Sequence, residues 1–211
     1  LEFRRVLFRS PVQLIHPIIT KSNAIVADRE MSPVTTFMSG AWQVFVSNRL
    51  PVTSLKELIA YSKSNPGKLN FGSPSSVNEV LMKMLQSKPG ITYTAVPYNS
   101  TPPVVNAILG GQIDFTISSA PPMLPHMKSG LVKAIMVTTA KRFDPLPEVP
   151  TSSEAGVSGF NAGFYYGFWG PAGLPRDVVQ RLNGMVVGAV KKPEIAARIR
   201  EATFVPEGTT P

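Results

Sequence analysis

A chain of 211 residues, 43% of them hydrophobic, is long enough for one large or two small domains with a sizeable core, which excludes intrinsic disorder. Lys and Arg number 21 against 13 Asp and Glu, giving a formal charge of +8, yet charged residues are only 16% and no basic run interleaved with aromatics marks a nucleic-acid clamp. With no cysteine and two histidines, His16 and His126, disulfides and thiolate zinc sites are excluded, and no metal or cofactor is expected.

Residues 1–10, LEFRRVLFRS, have no helical or strand period and read as a non-native leader; with the abrupt VPEGTTP end, both termini read as cut. From residue 50 onward short β-like runs alternate with helical ones. Ser54 and Glu57 stand in capping-box spacing before the helix Leu55–Tyr61, which Pro66-Gly67 ends. A strand follows at Lys68–Phe71, then a helix over Asn78–Gln86 with Val80, Leu81, Met84 and Leu85 on one face. Ile91–Val96 reads as a strand, and Pro102–Leu109 as a helix with prolines in its first turn and Gly110-Gly111 as its stop. Strand Ile113–Ile117, short helix Pro121–Lys128 and strand Val132–Thr138 complete a βαβαβαβ pattern, a doubly wound α/β unit.

The last quarter changes character. Thr151 and Glu154, again in capping-box spacing, predict a helix start, and Phe164–Trp169 reads as an aromatic strand. After the turn 170–175, an amphipathic helix should bury Val178, Val179, Leu182, Met185, Val186 and Ala189, and a second helix runs from about Pro193 to Ala202. The longest nearly apolar stretch, 155–173, is broken by Ser158, Asn161, Pro171 and several glycines, so no membrane insertion is expected.

In an open parallel sheet, ligands sit outside the carboxyl ends of the strands. Four loops leave such ends here: 72–76, 97–101, 118–120 and 139–142. In the first, Gly72-Ser73-Pro74-Ser75-Ser76 joins a strand to a helix N-terminus, where backbone N–H groups, the helix dipole and hydroxyls suit a carboxylate or phosphate. The plainer reading is a helix cap by Ser75 or Ser76. No HExxH, GxSxG, Walker, GxGxxG or SxxK motif is present. Ser73 or Ser75 is a nucleophile only if a base stands near; His126 reads as a solvated residue and Asp114 as a carboxylate bonded to backbone at a strand end. The cluster Tyr165, Tyr166, Phe168 and Trp169 suits either a cleft wall or core packing.

The blocks SLKELIAYSKSNPGKLNFGSP (54–74), VPYNSTPPVVNAILGGQIDF (96–115), LPHMKSGLVKAIMVTTAKRFDPLPEVPTSSEAG (124–156) and FWGPAGLPRDVVQRLN (168–183), with ADREMSPVTTF (27–37) upstream, carry a resemblance. In their order and spacing the chain resembles the Bug-type extracytoplasmic solute receptors, the substrate-binding proteins of tripartite tricarboxylate transporters. The resemblance implies a type II periplasmic-binding-protein fold of two doubly wound lobes joined by crossover strands. Residues 11–47 and 165–211 then form an incomplete lobe I and residues 48–164 form lobe II. It also implies a periplasmic, monomeric receptor without enzymatic activity, whose partners are a small carboxylate ligand and membrane transporter subunits, with no nucleic acid. The signal peptide of such a receptor is not in this chain.

On this pattern Gly72, Ser73, Ser75 and Ser76 hold an anion, with Tyr98, Asn99, Ser118 and Ser119 contributed by neighbouring loops. Three departures bear on the ligand. The inner glycines of the family's Gly-Ser loop are lost, and Asn78 or Glu79 stands where His is usual. Asn99 replaces the Lys or Arg that often follows Pro-Tyr, which favours ligands smaller or less anionic than citrate. A bulky residue at Ser73 is expected to abolish binding without lowering the melting temperature. The competing functions are a Ser-dependent hydrolase of small carboxylates or esters, and a fragment that binds nothing.

Overall fold

A computed structural model describes residues 7–9 in their backbone, and residues 31–87 and 90–211 in full. The chain divides into two compact units, one built from residues up to 40 together with 164–211, the other from residues 41–163.

The second unit is a five-stranded sheet of order β5-β4-β6-β3-β7, with helices in the connections. Its strands are β3 (Gln43–Ser47), β4 (Asn70–Ser73), β5 (Thr94–Pro97), β6 (Phe115–Ser118) and β7 (Val132–Val137). The helices are α1 (Leu55–Ser64), α2 (Ser76–Ser87), α3 (Thr101–Gly110) and α4 (Leu124–Lys128). β4 runs parallel to β5 and β6, as the alternating pattern predicts. β3 departs from that pattern: it lies between β6 and β7 and antiparallel to both, so the sheet is mixed. All five of its residues are buried, and this segment, expected with lobe I, is an interior strand of this sheet. Phe45, Phe71 and Phe115 are among the largest fully buried side chains. Burying each stabilises the unit by roughly 1.5–3 kcal/mol.

Local chemistry explains most boundaries. Ser54 caps α1 by accepting from Glu57 N at 3.2 Å, while the Glu57 carboxylate reaches back to the Thr53 amide at 2.5 Å. α3 ends on Gly111 in the left-handed region at φ +77, a conformation that costs glycine little. The predicted helix after Thr151 does not form. Its capping box is made, with Thr151 N donating to Glu154 Oε2 at 2.8 Å and Glu154 N to Thr151 Oγ1 at 3.2 Å, but Gly156 at φ +89 ends the chain's helical course after one turn. α2 is also turned from its expected face: Val77, Asn78, Leu81, Met82 and Leu85 are buried, whereas Val80 and Met84 are exposed.

The first unit has a four-stranded sheet of order β1-β8-β2-β9. β1 (Leu7–Arg9) runs antiparallel to β8 (Gly163–Pro171), with Leu7 opposite Trp169; the rest of residues 1–10 lies outside the described residues. β2 (Met31–Ala41) pairs with β9 (Val205–Pro206). Among its described residues it carries the helices α5 (Arg176–Val190) and α6 (Pro193–Glu201). The expected buried face of α5 is not buried: Val190 alone among its residues is, and Met185 is 60% exposed. The aromatic run of β8 serves both of the roles proposed for it. Phe164 and Tyr166 stack edge-on with each other and with Phe204, and burial pushes the Tyr166 hydroxyl pKa up. Tyr165, Phe168 and Trp169 instead line a cavity of about 220 Å³ together with Thr35, Thr36 and Thr209.

Candidate functional site

The carboxyl ends of β4, β5 and β6 lie side by side because the three strands are parallel neighbours, and their loops gather the sequence-predicted residues at one edge of the sheet. Gly72 pairs with Thr116 and Val96 inside the sheet, so it belongs to the strand rather than the loop. A Cβ on it would lie 2.2 Å from Ile113 Cδ1, which explains the glycine by packing. Its carbonyl accepts the Thr116 hydroxyl at 2.7 Å.

Ser73, 1% exposed, donates its hydroxyl to the Ser75 carbonyl at 2.9 Å, and its own carbonyl accepts the Tyr98 amide at 2.8 Å. It braces the loop from inside. A bulky side chain at Ser73 is therefore expected to lower the melting temperature, where the sequence alone led to the expectation of an unchanged one.

Ser75 stands at the N-cap position. Its carbonyl accepts Glu79 N at 3.3 Å, and its hydroxyl donates to Asn78 Oδ1 instead of accepting a backbone N–H. Asn78, 2% exposed, completes the brace by donating Nδ2 to the Ile117 carbonyl at 2.7 Å, next to Ser118. The first turn of α2 is thus tied to the end of β6. Its leading amides, Val77 and Asn78, precede the first bond of the helix ladder and lie at the donor end of its dipole. Ser76, Tyr98 and Ser119 are half-buried and Asn99 is exposed on the same edge; Ser118 is buried.

The loops 72–78, 97–101 and 117–121 hold no charged side chain. An anion here meets neutral donors only. Glu79, which would repel it from the loop, lies on the flank of α2 that carries Gln86, two turns on, and faces Tyr93. The Tyr93 hydroxyl pKa is raised by burial first and by the Glu79 carboxylate second, and this hydroxyl donates to Gln86 Oε1 at 3.4 Å. In the fourth loop, Arg142 is engaged by Glu154 and by the Pro147 carbonyl. Asp114 accepts the Asn70 amide at 2.8 Å, the backbone role expected of it. His126 is half-exposed on α4. Among the described residues no group of three or more His, Cys, Asp and Glu could hold a metal ion.

Two residues at this edge escaped the sequence reading. Asn78 was legible only as a departure from a family pattern, and its bond to Ile117 spans 39 residues. Gln43 heads an apolar run, and nothing local shows that this run ends between the carboxyl ends of β6 and β7.

Comparison with known proteins places these features in context. A model of the tripartite tricarboxylate transporter family receptor matches residues 9–208. A UPF0065 protein from the tcbD-tcbE intergenic region of Pseudomonas sp. (strain P51) is 28% identical over 211 residues, covering 93% of this chain and 63% of the relative. The chain therefore spans less than two thirds of that relative's length. Among solved structures, one of an R. palustris protein with adipate superposes at a TM-score of 0.86 with 27% identity, over 97% of this chain and 70% of the other. The periplasmic binding protein BugD superposes at 0.80 with 26% identity, over 95% of this chain and 68% of its own. These likenesses extend over both units, and the fold is that of the periplasmic binding proteins.

Proposed function

The chain belongs to the tripartite tricarboxylate transporter receptor family, and from that premise we propose that it serves as an extracytoplasmic solute receptor for a small organic acid. The observation that carries this reading is the braced first turn of α2, where Ser73, Ser75 and Asn78 fix a row of amide donors at the carboxyl edge of a parallel sheet. A carboxylate at a helix N-terminus gains from both the N–H groups and the dipole. The adipate found with the R. palustris neighbour supports a carboxylate as the ligand class. The lack of charged residues in the three loops favours a ligand of low charge.

Binding and release suffice for this role, with no covalent step. The hydrolase reading loses support from the same bonds: the Ser73 and Ser75 hydroxyls are engaged with a carbonyl and an amide oxygen, neither of them a base. A periplasmic location, delivery to membrane transporter subunits and a monomeric state belong to the same proposal. No helix among the described residues is long and apolar enough to cross a membrane.

Calorimetric titration with adipate and L-malate tests it. The expected result is stoichiometric heat with the ligand recovered unchanged. Absence of binding at millimolar ligand, or turnover of the ligand, overturns the reading.

A further inference from the structure

Gln43 lies on an interior strand of the mixed sheet, opposite Ser118 on one side and Val137 on the other, at the last residues of β6 and β7. Its position is thus at the ligand edge. Register puts its side chain on the same face as those of Ser118 and Phe45. Gln43 is 0% exposed, and neither its Nε2 nor its Oε1 has a hydrogen-bond partner among the described residues.

Its neighbours behave differently. The buried polar side chains of Ser73, Asn78, Thr116 and Thr138 each bond a backbone carbonyl. A buried amide left unpaired is costly, and a leucine or methionine of similar size would fill the same space without that cost. The sequence therefore maintains, at the edge where ligands of this fold class bind, a group offering one donor and one acceptor that the protein's own described groups do not satisfy.

We infer that Gln43 is a specificity-determining residue, whose carboxamide recognises a neutral group on the ligand that both donates and accepts, a hydroxyl or a carboxamide. This rests on the carboxylate-receptor reading above: the α2 turn takes the carboxylate, and Gln43 selects the substituent beyond it. A site built to hydrogen-bond such a group discriminates against the analogue that lacks it, because the amide is then left unpaired.

The test uses three probes with the same four-carbon chain, succinate, L-malate and succinamate, titrated calorimetrically into the 211-residue protein and its Gln43→Leu variant. The wild type should bind malate or succinamate about three- to tenfold more tightly than succinate, the range expected for one neutral hydrogen bond. Gln43→Leu should erase that preference and not lower the melting temperature of the free protein. A preference that survives the substitution overturns the inference. So does a fall in melting temperature with selectivity intact, since the amide then holds a structural water.

Should Gln43→Leu fail to fold, the side-chain amide resonances of Gln43 in the wild type decide. They should shift with malate or succinamate and stay in place with succinate. If the backbone amides of Val77 and Asn78 respond while Gln43 does not, the inference fails and the receptor reading stands; if none of them responds to any probe, both fail.

Discussion

Asn78 Nδ2 donates to the Ile117 carbonyl at 2.7 Å, and this buried bond fixes the roll of α2 against the sheet. The helix buries the stripe Val77, Asn78, Leu81, Met82 and Leu85, with a polar residue inside it, and leaves the more apolar Val80 and Met84 outside. A single side-chain bond thereby aims the first turn of the helix at the carboxyl ends of β4 and β6.

Removing that bond should be felt in both stability and binding. Asn78→Ala leaves the Ile117 carbonyl without its side-chain donor and is expected to cost about 1–3 kcal/mol in urea unfolding. Asn78→Asp should do no better, because a carboxylate cannot donate to a carbonyl and adds a negative charge beside the proposed anion site. An Asn78→Asp protein as stable as wild type would show that the brace is not needed.

Gly72 tests packing at the same edge. The Cβ of Gly72→Ala would lie 2.2 Å from Ile113 Cδ1, within a core where Ile113 is fully buried, so overpacking should destabilise by about 1–3 kcal/mol. Ile113→Val removes the clashing methyl. In a double-mutant cycle the pair should therefore be less destabilised than the sum of the single variants, and strict additivity would contradict the assignment.

The turn at 151–156 predicts a pH dependence. The Glu154 carboxyl lies below the usual carboxylate range because it accepts the Thr151 amide first and the Arg142 side chain second. A folded-state pKa below the unfolded one contributes stability at pH above the ordinary glutamate range, and that contribution is lost as pH falls through the folded pKa. Protection of the Ala155 and Val157 amides, which close the turn, taken relative to intrinsic exchange at each pH, should fall on acidification in the wild type. The Glu154→Gln protein should show no such step. Arg142→Ala should shift the step only part of the way toward ordinary glutamate, since the Thr151 bond remains.

Met185 offers a control. At 60% exposure on α5, its replacement by Lys should change stability by less than about 0.5 kcal/mol, whereas a buried position would lose several times that. Thermal unfolding of Met185→Lys separates the two.

Much of the second unit is legible in the amino acids. Ser54 and Glu57 start α1, Gly111 stops α3, and Asp114 bonds the backbone of a neighbouring strand, each by chemistry confined to a few residues or to one strand end. The loop 72–76 stands out for the same reason, as small hydroxyl residues between a strand and a helix start. What each of those residues does there is a different matter. Gly72 answers to Ile113, and Ser73 is turned inward, because both are buried against segments far along the chain.

By itself the sequence determined the alternation of strands and helices, their caps and stops, the hydroxyl-rich loop between β4 and α2 and the family resemblance, since all of these are written in periodicity, in turn residues or in the order of short blocks. Only the tertiary structure decided that β3 inserts antiparallel between β6 and β7, that α2 presents Asn78 to the sheet, that the Thr151 box stops after one turn and that Gln43 stands opposite the last residues of β6 and β7 without a partner among the described residues. Period fixes which way a side chain alternates, but the strand that lies beside it, and the register, come from contacts between residues dozens of positions apart.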